Sequence, residues 1–230
     1  MSNISVLLVD DHNIVRQGLR ALLVAEGDVN IVAEAQTGRE AVQLAMQLRP
    51  EVVVMDLAMP LLNGWEATRQ IVKAIPSARV VVLSTYGDAE HIQQALAAGA
   101  AAYLLKQTAA ADLVKAIREV KKGNAYFSPA IAKLVREQTC RSSAEVAAIR
   151  AADPELTPRE AEVLQLIAEG FANKQIAGEL GLSVKTVEKH RQQVMHKLKI
   201  HDIAGLVRHA AEKGIIELAP AGVPVTQPLG

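Results

Sequence analysis

Five side chains suited to handling phosphoryl groups and hard cations recur along the first half of the chain: Asp10 and Asp11, Asp56, Ser84 and Lys106. Each follows directly on an aliphatic run. Three carboxylates, a hydroxyl and an ammonium can form an oxygen cage for a cation beside a phosphoryl group, because magnesium usually takes one or two protein carboxylates together with phosphate oxygens. Without a cation the three acids repel one another. Asp56 is the most telling of the five. In PEVVVMDLAMPLLNG a valine-rich run stops at a carboxylate, and Pro60 and Asn63-Gly64 then force a loop. A charge after a buried strand is costly unless the exposed strand end lets a ligand, metal or water compensate it. Taken singly, each residue also has an ordinary reading. Lys106 could be a solvated strand end, Ser84 a helix cap, Asp10 and Asp11 an acidic pair favoured by a helix dipole, and Tyr103 sheet packing. Their common place at strand ends favours a joint site.

The elements that must position them follow from the hydrophobic periodicity. Aliphatic runs at 4–9, 30–35, 52–55, 80–83 and 102–105 predict five strands. Between and after them, patterns of helical period end at Gly27, Leu48, Gly99 and Gly123, with a further helix between the third and fourth strands. Five strand-then-helix repeats predict a parallel α/β sheet, doubly wound, with helices on both faces, because parallel strands need crossovers that are usually helical and right-handed. In such sheets ligands bind beyond the carboxyl ends of the strands. Those are the positions of the five polar residues.

Composition bounds the rest. A chain of 230 residues is long enough for two cores, and half of it is hydrophobic with few aromatics, so the cores are aliphatic and a deep aromatic pocket is disfavoured. Formal charge balances to zero, yet from Lys185 to Lys199 five Lys/Arg face one Glu, a local basic signal. The single cysteine, Cys140, rules out an intramolecular disulfide framework and fits a reducing compartment. With no signal-like start and no apolar run of bilayer length, the expectation is a cytoplasmic protein without membrane association.

Beyond the fifth helix, residues 123–154 read as a partly helical linker in which Ser128-Pro129 can start a short helix and Cys140 has no neighbouring ligand set. LTPREAEVLQLIAEG then opens a second domain, 155–217. Thr157 caps, Pro158 takes the first helical position, Glu160 completes a capping box, and Val163, Leu164 and Ile167 form the apolar stripe. A short helix, NKQIAGEL, the turn GLS and a longer helix, VKTVEKHRQQVMHKLK, make a helix-turn-helix whose second helix can enter a major groove. On it Val184, Val187, Val194 and Leu198 are expected to be buried and Lys185, Glu188, Lys189 and Gln192 to project. His190, with no partner at metal spacing, reads as a packing or phosphate-side residue. A fourth helix near 202–213 offers Ile203, Leu206, Val207 and Ala210 to the core or to a dimer seam. The proline-bearing tail, 218–230, is expected to be disordered.

On these residues rest two resemblances. VLLVDDHNIVRQGLRALL, VVVMDLAMPLLNGWEA, VVVLST and AAYLLKQT are similar to the receiver domain of two-component response regulators, over residues 4–122. LTPREAEVLQLIAEGFANKQIAGELGLSVKTVEKHRQQVMHKL resembles the LuxR-type DNA-binding domain, and the pairing resembles the NarL/FixJ group. The resemblance implies a five-stranded sheet of order 2-1-3-4-5 followed by a small all-α four-helix domain. It implies Asp56 as phosphoacceptor, and Asp10, Asp11, Asp56 and the carbonyl of Ala58 around Mg2+. Ser84 would turn toward the phosphoryl oxygen, Tyr103 would follow it inward, and Lys106 would pair with the phosphoryl charge. For DNA it implies phosphate contacts from Lys174, Lys185 and Thr186, and base contacts from Lys189, Gln192 and Glu188. Lysine suits guanine acceptors and glutamine suits adenine, a good bidentate pair being worth about 1–3 kcal/mol.

What this implies is a transcription regulator that a sensor histidine kinase phosphorylates, and that then binds promoter DNA as a homodimer. Three other readings stand beside it. An aspartate-nucleophile phosphatase would carry a second acid two residues after its nucleophile, where Ala58 and His12 stand. A small-molecule-responsive regulator would need a pocket that the strand-helix repeats do not suggest. A phosphorylation-independent regulator would have no use for the complete cage. Two departures from the receiver pattern, Ala102 and Gln107, flank the switch aromatic and the lysine. Ala58 and Tyr86 occupy positions that tune water access to the phosphoryl group.

Overall fold

The computed structural model describes residues 3–128, 131–134 and 156–216. In the first half the chain runs β1 (Ile4–Val9), α1 (Asn13–Ala25), β2 (Val29–Ala35), α2 (Gly38–Leu48), β3 (Val52–Asp56), α3 (Gly64–Ala74), β4 (Arg79–Ser84), α4 (Ala89–Ala97), β5 (Ala102–Leu105), α5 (Ala109–Lys121) and β6 (Tyr126–Phe127). All strand pairs are parallel and the sheet order is β2-β1-β3-β4-β5-β6. Because side chains alternate across a strand, the aliphatic runs feed two cores. Leu7, Val9, Val53, Met55, Val80, Val82 and Tyr103 face one side with α2, α3 and α4 over them, and Val6, Leu8, Val52, Val54, Val81, Leu83 and Leu104 face the other under α1 and α5. A strand apolar on both faces is what a doubly covered parallel sheet demands, and every residue of β3 is buried.

The sheet has six strands where the periodicity predicts five. Gly123 turns the chain after α5 with a φ of 91°, which glycine adopts without steric penalty. Tyr126 and Phe127 then pair with Ala102 and Tyr103 along the free edge of β5. A two-residue strand leaves no periodicity to detect.

The second half comprises α6 (Pro158–Ala168), α7 (Asn173–Leu180), α8 (Val184–Leu198) and α9 (Ile203–Glu212). Thr157 and Glu160 form the expected capping box on α6, while Ser183 caps α8 and Asp202 caps α9. Val163, Leu164, Ile167, Ile176, Leu180, Val187, Val194 and Leu206 make its core. Two expected core residues lie elsewhere: Val184 and Ile203 are 41% and 47% exposed. Each is the first residue of its helix, at the end where the apolar stripe has not yet met the neighbouring helices. Leu198 is only half-buried. Most of the 123–154 linker, Cys140 and the 218–230 tail lie outside the described residues, although residues 131–134 are helical.

The halves meet along one seam. Gln165 and Glu169, at the end of α6, bond to the loop between β3 and α3. Arg39 of α2 reaches Glu179 of α7, and Glu90 of α4 reaches Lys213 just after α9.

Candidate functional site

Parallel strands end together, so the polar residues that close β1, β3 and β5 converge at one edge of the sheet. Asp10 and Asp56 are buried, Asp11 half-buried. Lys106 Nζ lies 2.9 Å from Asp10 Oδ2 and 2.8 Å from Asp56 Oδ2. One ammonium thus faces three carboxylates. Burial pushes the Asp56 carboxyl up to about 7; Lys106 opposes the shift, and the charges of Asp10 and Asp11 add to it. Asp10 Oδ2 and Asp56 Oδ2 are both turned to the Lys106 ammonium, and Asp11 Oδ1 to the His12 ring. Ligand atoms of Asp10, Asp11, His12 and Asp56 lie within 4.8 Å of one another. A hard divalent cation fits this donor set, which is all oxygen apart from one imidazole and carries surplus negative charge.

Backbone contacts hold the cage in shape. The buried Arg16 donates from Nη1 to the Asp10 carbonyl, 2.7 Å, and from Nε to Glu34, 3.2 Å. The His12 amide donates to Asp10 Oδ1, 2.8 Å, and its ring Nδ1 stands 2.7 Å from Asp11 Oδ1. Gly64 is obligatory, because a Cβ there would stand 1.9 Å from the Asp56 carbonyl oxygen. This is why Asn63-Gly64 follows the strand: Asn63 caps α3 through the Glu66 amide, and the glycine lets that helix start against the end of β3.

The ordinary reading holds for Tyr103, which packs in the core under the sheet, and not for Ser84 or Lys106. No acidic side chain occupies the first turn of α1, whose N-cap is His12; Asp10 and Asp11 precede it, and Asp10 faces Lys106 as well as the His12 amide. Asp88, not Ser84, caps α4. Lys106 is only 17% exposed along its side chain. Ser84 Oγ accepts the Tyr86 amide at 3.0 Å, and the buried Tyr103 donates its hydroxyl to the Tyr86 carbonyl at 2.8 Å. The loop after β4 is therefore tied to both. Ala58, half-buried, lies in the loop after β3. Sequence reasoning passed over three participants. His12, Arg16 and Gln165 carry no motif in the sequence that assigns them a role at this site.

In the second half, Lys185, Glu188, Lys189 and Gln192 are exposed on α8, and their three- and four-residue spacing puts them on one face. Lys174, on α7, is exposed as well, and Thr186 is half-buried with its hydroxyl 2.8 Å from that of Ser183. His190 is half-buried, as a packing residue would be. The receiver half leaves this face open. Among the described residues no helix is long and apolar enough to cross a membrane.

Comparison with known proteins bears on both halves. Residues 6–118 match the response regulator receiver domain, and residues 154–210 match the bacterial regulatory proteins of the luxR family. The response regulator protein VraR of Staphylococcus aureus is 35% identical over 214 residues, spanning 93% of this chain and 99% of that protein. Among solved structures, a LuxR-family two-component response regulator from Aurantimonas sp. SI85-9A1 is 37% identical with a TM-score of 0.57, covering 60% of this chain and 99% of its own. RcsB from Salmonella enterica serovar Typhimurium, bound to promoter rprA with the phosphomimetic BeF3-, is 28% identical with a TM-score of 0.54 over 90% of this chain and 98% of that one. The chain thus belongs to the two-component response regulators of the NarL/FixJ group, DNA-binding regulators in which a receiver precedes a LuxR-type helix-turn-helix domain.

Proposed function

We propose that this regulator takes up a phosphoryl group on Asp56 from a sensor histidine kinase and then binds promoter DNA as a homodimer. The observation that carries the reading is the surplus of buried negative charge around Asp56, three carboxylates to one ammonium. A fold retains such a costly arrangement where a cation and a phosphoryl group complete it. The receiver spans 4–122 and the DNA-binding domain 155–217.

In the transfer, an Asp56 carboxylate oxygen attacks phosphorus, an acyl phosphate P–O bond forms, and the donor's P–N bond breaks with its electron pair returning to the imidazole. Lys106 offsets charge on the transferred group from its place between Asp10 and Asp56. Asp10, Asp11, Asp56 and the Ala58 carbonyl would hold Mg2+, which when bound neutralises phosphoryl oxygens. Ser84 turns from the Tyr86 amide toward the phosphoryl group, and Tyr103 fills the space it leaves. The residue two places after Asp56 is Ala58, so the second acid of an aspartate-nucleophile phosphatase is missing there.

At the DNA, Lys174, Lys185 and Thr186 contact phosphates, and Lys189, Gln192 and Glu188 meet base edges. A domain of little net charge holds a duplex weakly, and pairing two copies on adjacent half-sites adds the affinity. Incubation with acetyl phosphate and Mg2+ should add one phosphoryl mass at Asp56 and raise the dimer fraction and promoter affinity. Asp56→Asn should show none of these responses. Stimulation that survives in Asp56→Asn overturns the proposal.

A further inference from the structure

The acidic edge carries an imidazole that a magnesium and phosphoryl site does not call for. His12 is the N-cap of α1, yet its side chain makes no cap hydrogen bond, and the residues that favour that position are serine, threonine, aspartate and asparagine. The helix therefore does not account for it. The side chain is 58% exposed and free to face water, but it turns back over the cage: Nδ1 stands 2.7 Å from Asp11 Oδ1 and 3.5 Å from Asp10 Oδ1. Its backbone is held there, because the His12 amide donates to Asp10 Oδ1 at 2.8 Å.

An imidazole discriminates among cations. Mg2+ is hard, takes oxygen ligands and keeps several waters, so a nitrogen donor adds little to its binding. Zn2+ takes imidazole and carboxylate alike. One ligand atom each from Asp10, Asp11, Asp56 and His12 lies within 4.8 Å of the others. Bonds of about 2.1 Å to a four-coordinate zinc place neighbouring ligands about 3.4 Å apart. The distances from His12 Nδ1 to Asp11 and Asp10, 2.7 and 3.5 Å, bracket that value, and an exposed ring can make the small shift that remains. Lys106 takes up one oxygen each of Asp10 and Asp56, and a carboxylate retains further lone pairs for a metal.

We infer that His12 makes the acidic edge a second kind of metal site, in which a borderline divalent ion such as Zn2+ takes Asp10, Asp11, Asp56 and His12 as four protein ligands. Such a set is closed: structural zinc sites fill all four positions with protein atoms, whereas zinc sites that act on a substrate keep one open. The closed set holds the Asp56 carboxylate as a ligand and leaves no position for a phosphoryl oxygen, so Zn2+ blocks the uptake that Mg2+ supports. The block, unlike the binding, rests on Asp56 being the phosphoacceptor. His12 is the residue by which one cage tells two classes of cation apart.

The test uses the full-length protein at slightly alkaline pH, with Co2+ as a visible substitute for Zn2+. Wild type should develop the intense visible absorption of four-coordinate Co2+, and Zn2+ should abolish it by displacement. His12→Asn supplies a favourable N-cap and keeps the backbone amide. It should lose the absorption and bind Zn2+ about a hundredfold more weakly, the upper end of what loss of even an outer-sphere partner costs, while its Mg2+ affinity by equilibrium dialysis falls far less. Asp11→Asn should weaken both ions, as a shared ligand would. In acetyl phosphate labelling with excess Mg2+, each protein is compared with its own labelling before Zn2+ is added; one equivalent should abolish the mass gain on Asp56 in wild type and spare it in His12→Asn. Equal Zn2+ affinity in the two proteins overturns the proposal, as does an equal fall for both ions. Absorption retained in His12→Asn also overturns it, by placing the ion on other histidines of the chain. Full labelling of wild type with Zn2+ bound removes the block. No labelling with Mg2+ alone strikes instead at the phosphoacceptor assignment, and the Co2+ absorption still decides the ligand set.

Discussion

Two lysines, one in each half, are each set against buried carboxylate, and their surroundings differ in one respect. Lys197 meets Glu160 at 2.6 Å. That carboxylate also takes the Thr157 amide at 2.7 Å as part of the capping box, so the acid has both a cation and an amide and sits at the favourable end of a helix. Burial opposes ionisation of Glu160, but Lys197 and the Thr157 amide outweigh it, and its carboxyl titrates below the usual range. Lys106 meets two buried carboxylates with a third beside them, and Asp56 is pushed up to about 7. Both are ion pairs under partial cover. One closes a helix end; the other gathers more carboxylate than the ammonium beside it can offset.

Removing each lysine tests this directly, and the larger effect belongs to Lys106. In Lys106→Met the buried acids lose their only ammonium, and the receiver should lose about 3–5 kcal/mol at slightly alkaline pH without divalent cation. Urea unfolding followed by Trp65 reports on it, since that single tryptophan is buried in the receiver. A loss below about 1 kcal/mol, the range of solvent-exposed pairs, would mean that the cage is hydrated and not in deficit.

The pH dependence should differ in sign between the two acids. An acid whose folded pKa is raised contributes stability that is fully present below its unfolded value and is lost as pH rises through the folded one. For Asp56 that window runs from 3.8 to about 7. Across it the metal-free receiver should weaken by at most ~1.4 kcal/mol per pH unit. Glu160 is depressed from 4.5, so its contribution is present above that value and is lost as pH falls through the lowered one. The urea stability of wild type less that of Asp56→Asn, and less that of Glu160→Gln, should therefore change in opposite directions on acidification. Asp56→Asn should flatten the receiver's trend alone; an unaltered slope in that variant would place the surplus charge elsewhere.

How far the amino-acid sequence foretold these sites follows from the range of the contacts. The sheet and its acidic edge were legible because strands announce themselves locally, through valine runs and the punctuation of Pro60 and Asn63-Gly64, and parallel strands must end on one side. That alone gathers Asp10, Asp56 and Lys106. The exposed polar face of α8 was legible because Lys185, Lys189 and Gln192 repeat at helical spacing. Gln165 was not. Its partners are 102 and 106 residues away, and within α6 it looks like the solvent side of a helix. The only trace is that Leu164 and Leu166 flank it, leaving little room on that turn for water, with Glu169 one turn on. Arg16 escaped notice similarly, because an arginine among polar helix positions gives no sign that Asp10 and Glu34 lie beneath it. Val184 and Ile203 erred the other way, since periodicity says which face a residue shares but not whether the packing reaches the first turn.

The smallest effect should come from the balanced pair. Lys197 is a third exposed, so water screens part of what it gives Glu160, and Lys197→Met should cost the DNA-binding half only about 1–2 kcal/mol. The informative measurement is the double variant. With Glu160→Gln added, no charge is left to compensate, the amide oxygen still accepts from Thr157, and most of the loss should return. In the receiver, pairing Lys106→Met with Asp56→Asn should recover less, because Asp10 and Asp11 remain as like charges with no ammonium between them. Equal recovery in the two double variants would show that the acids around Asp56 behave as independent pairs. Unequal recovery, measured as the non-additive part of each double-mutant cycle, would distinguish a cage in deficit from a capped helix.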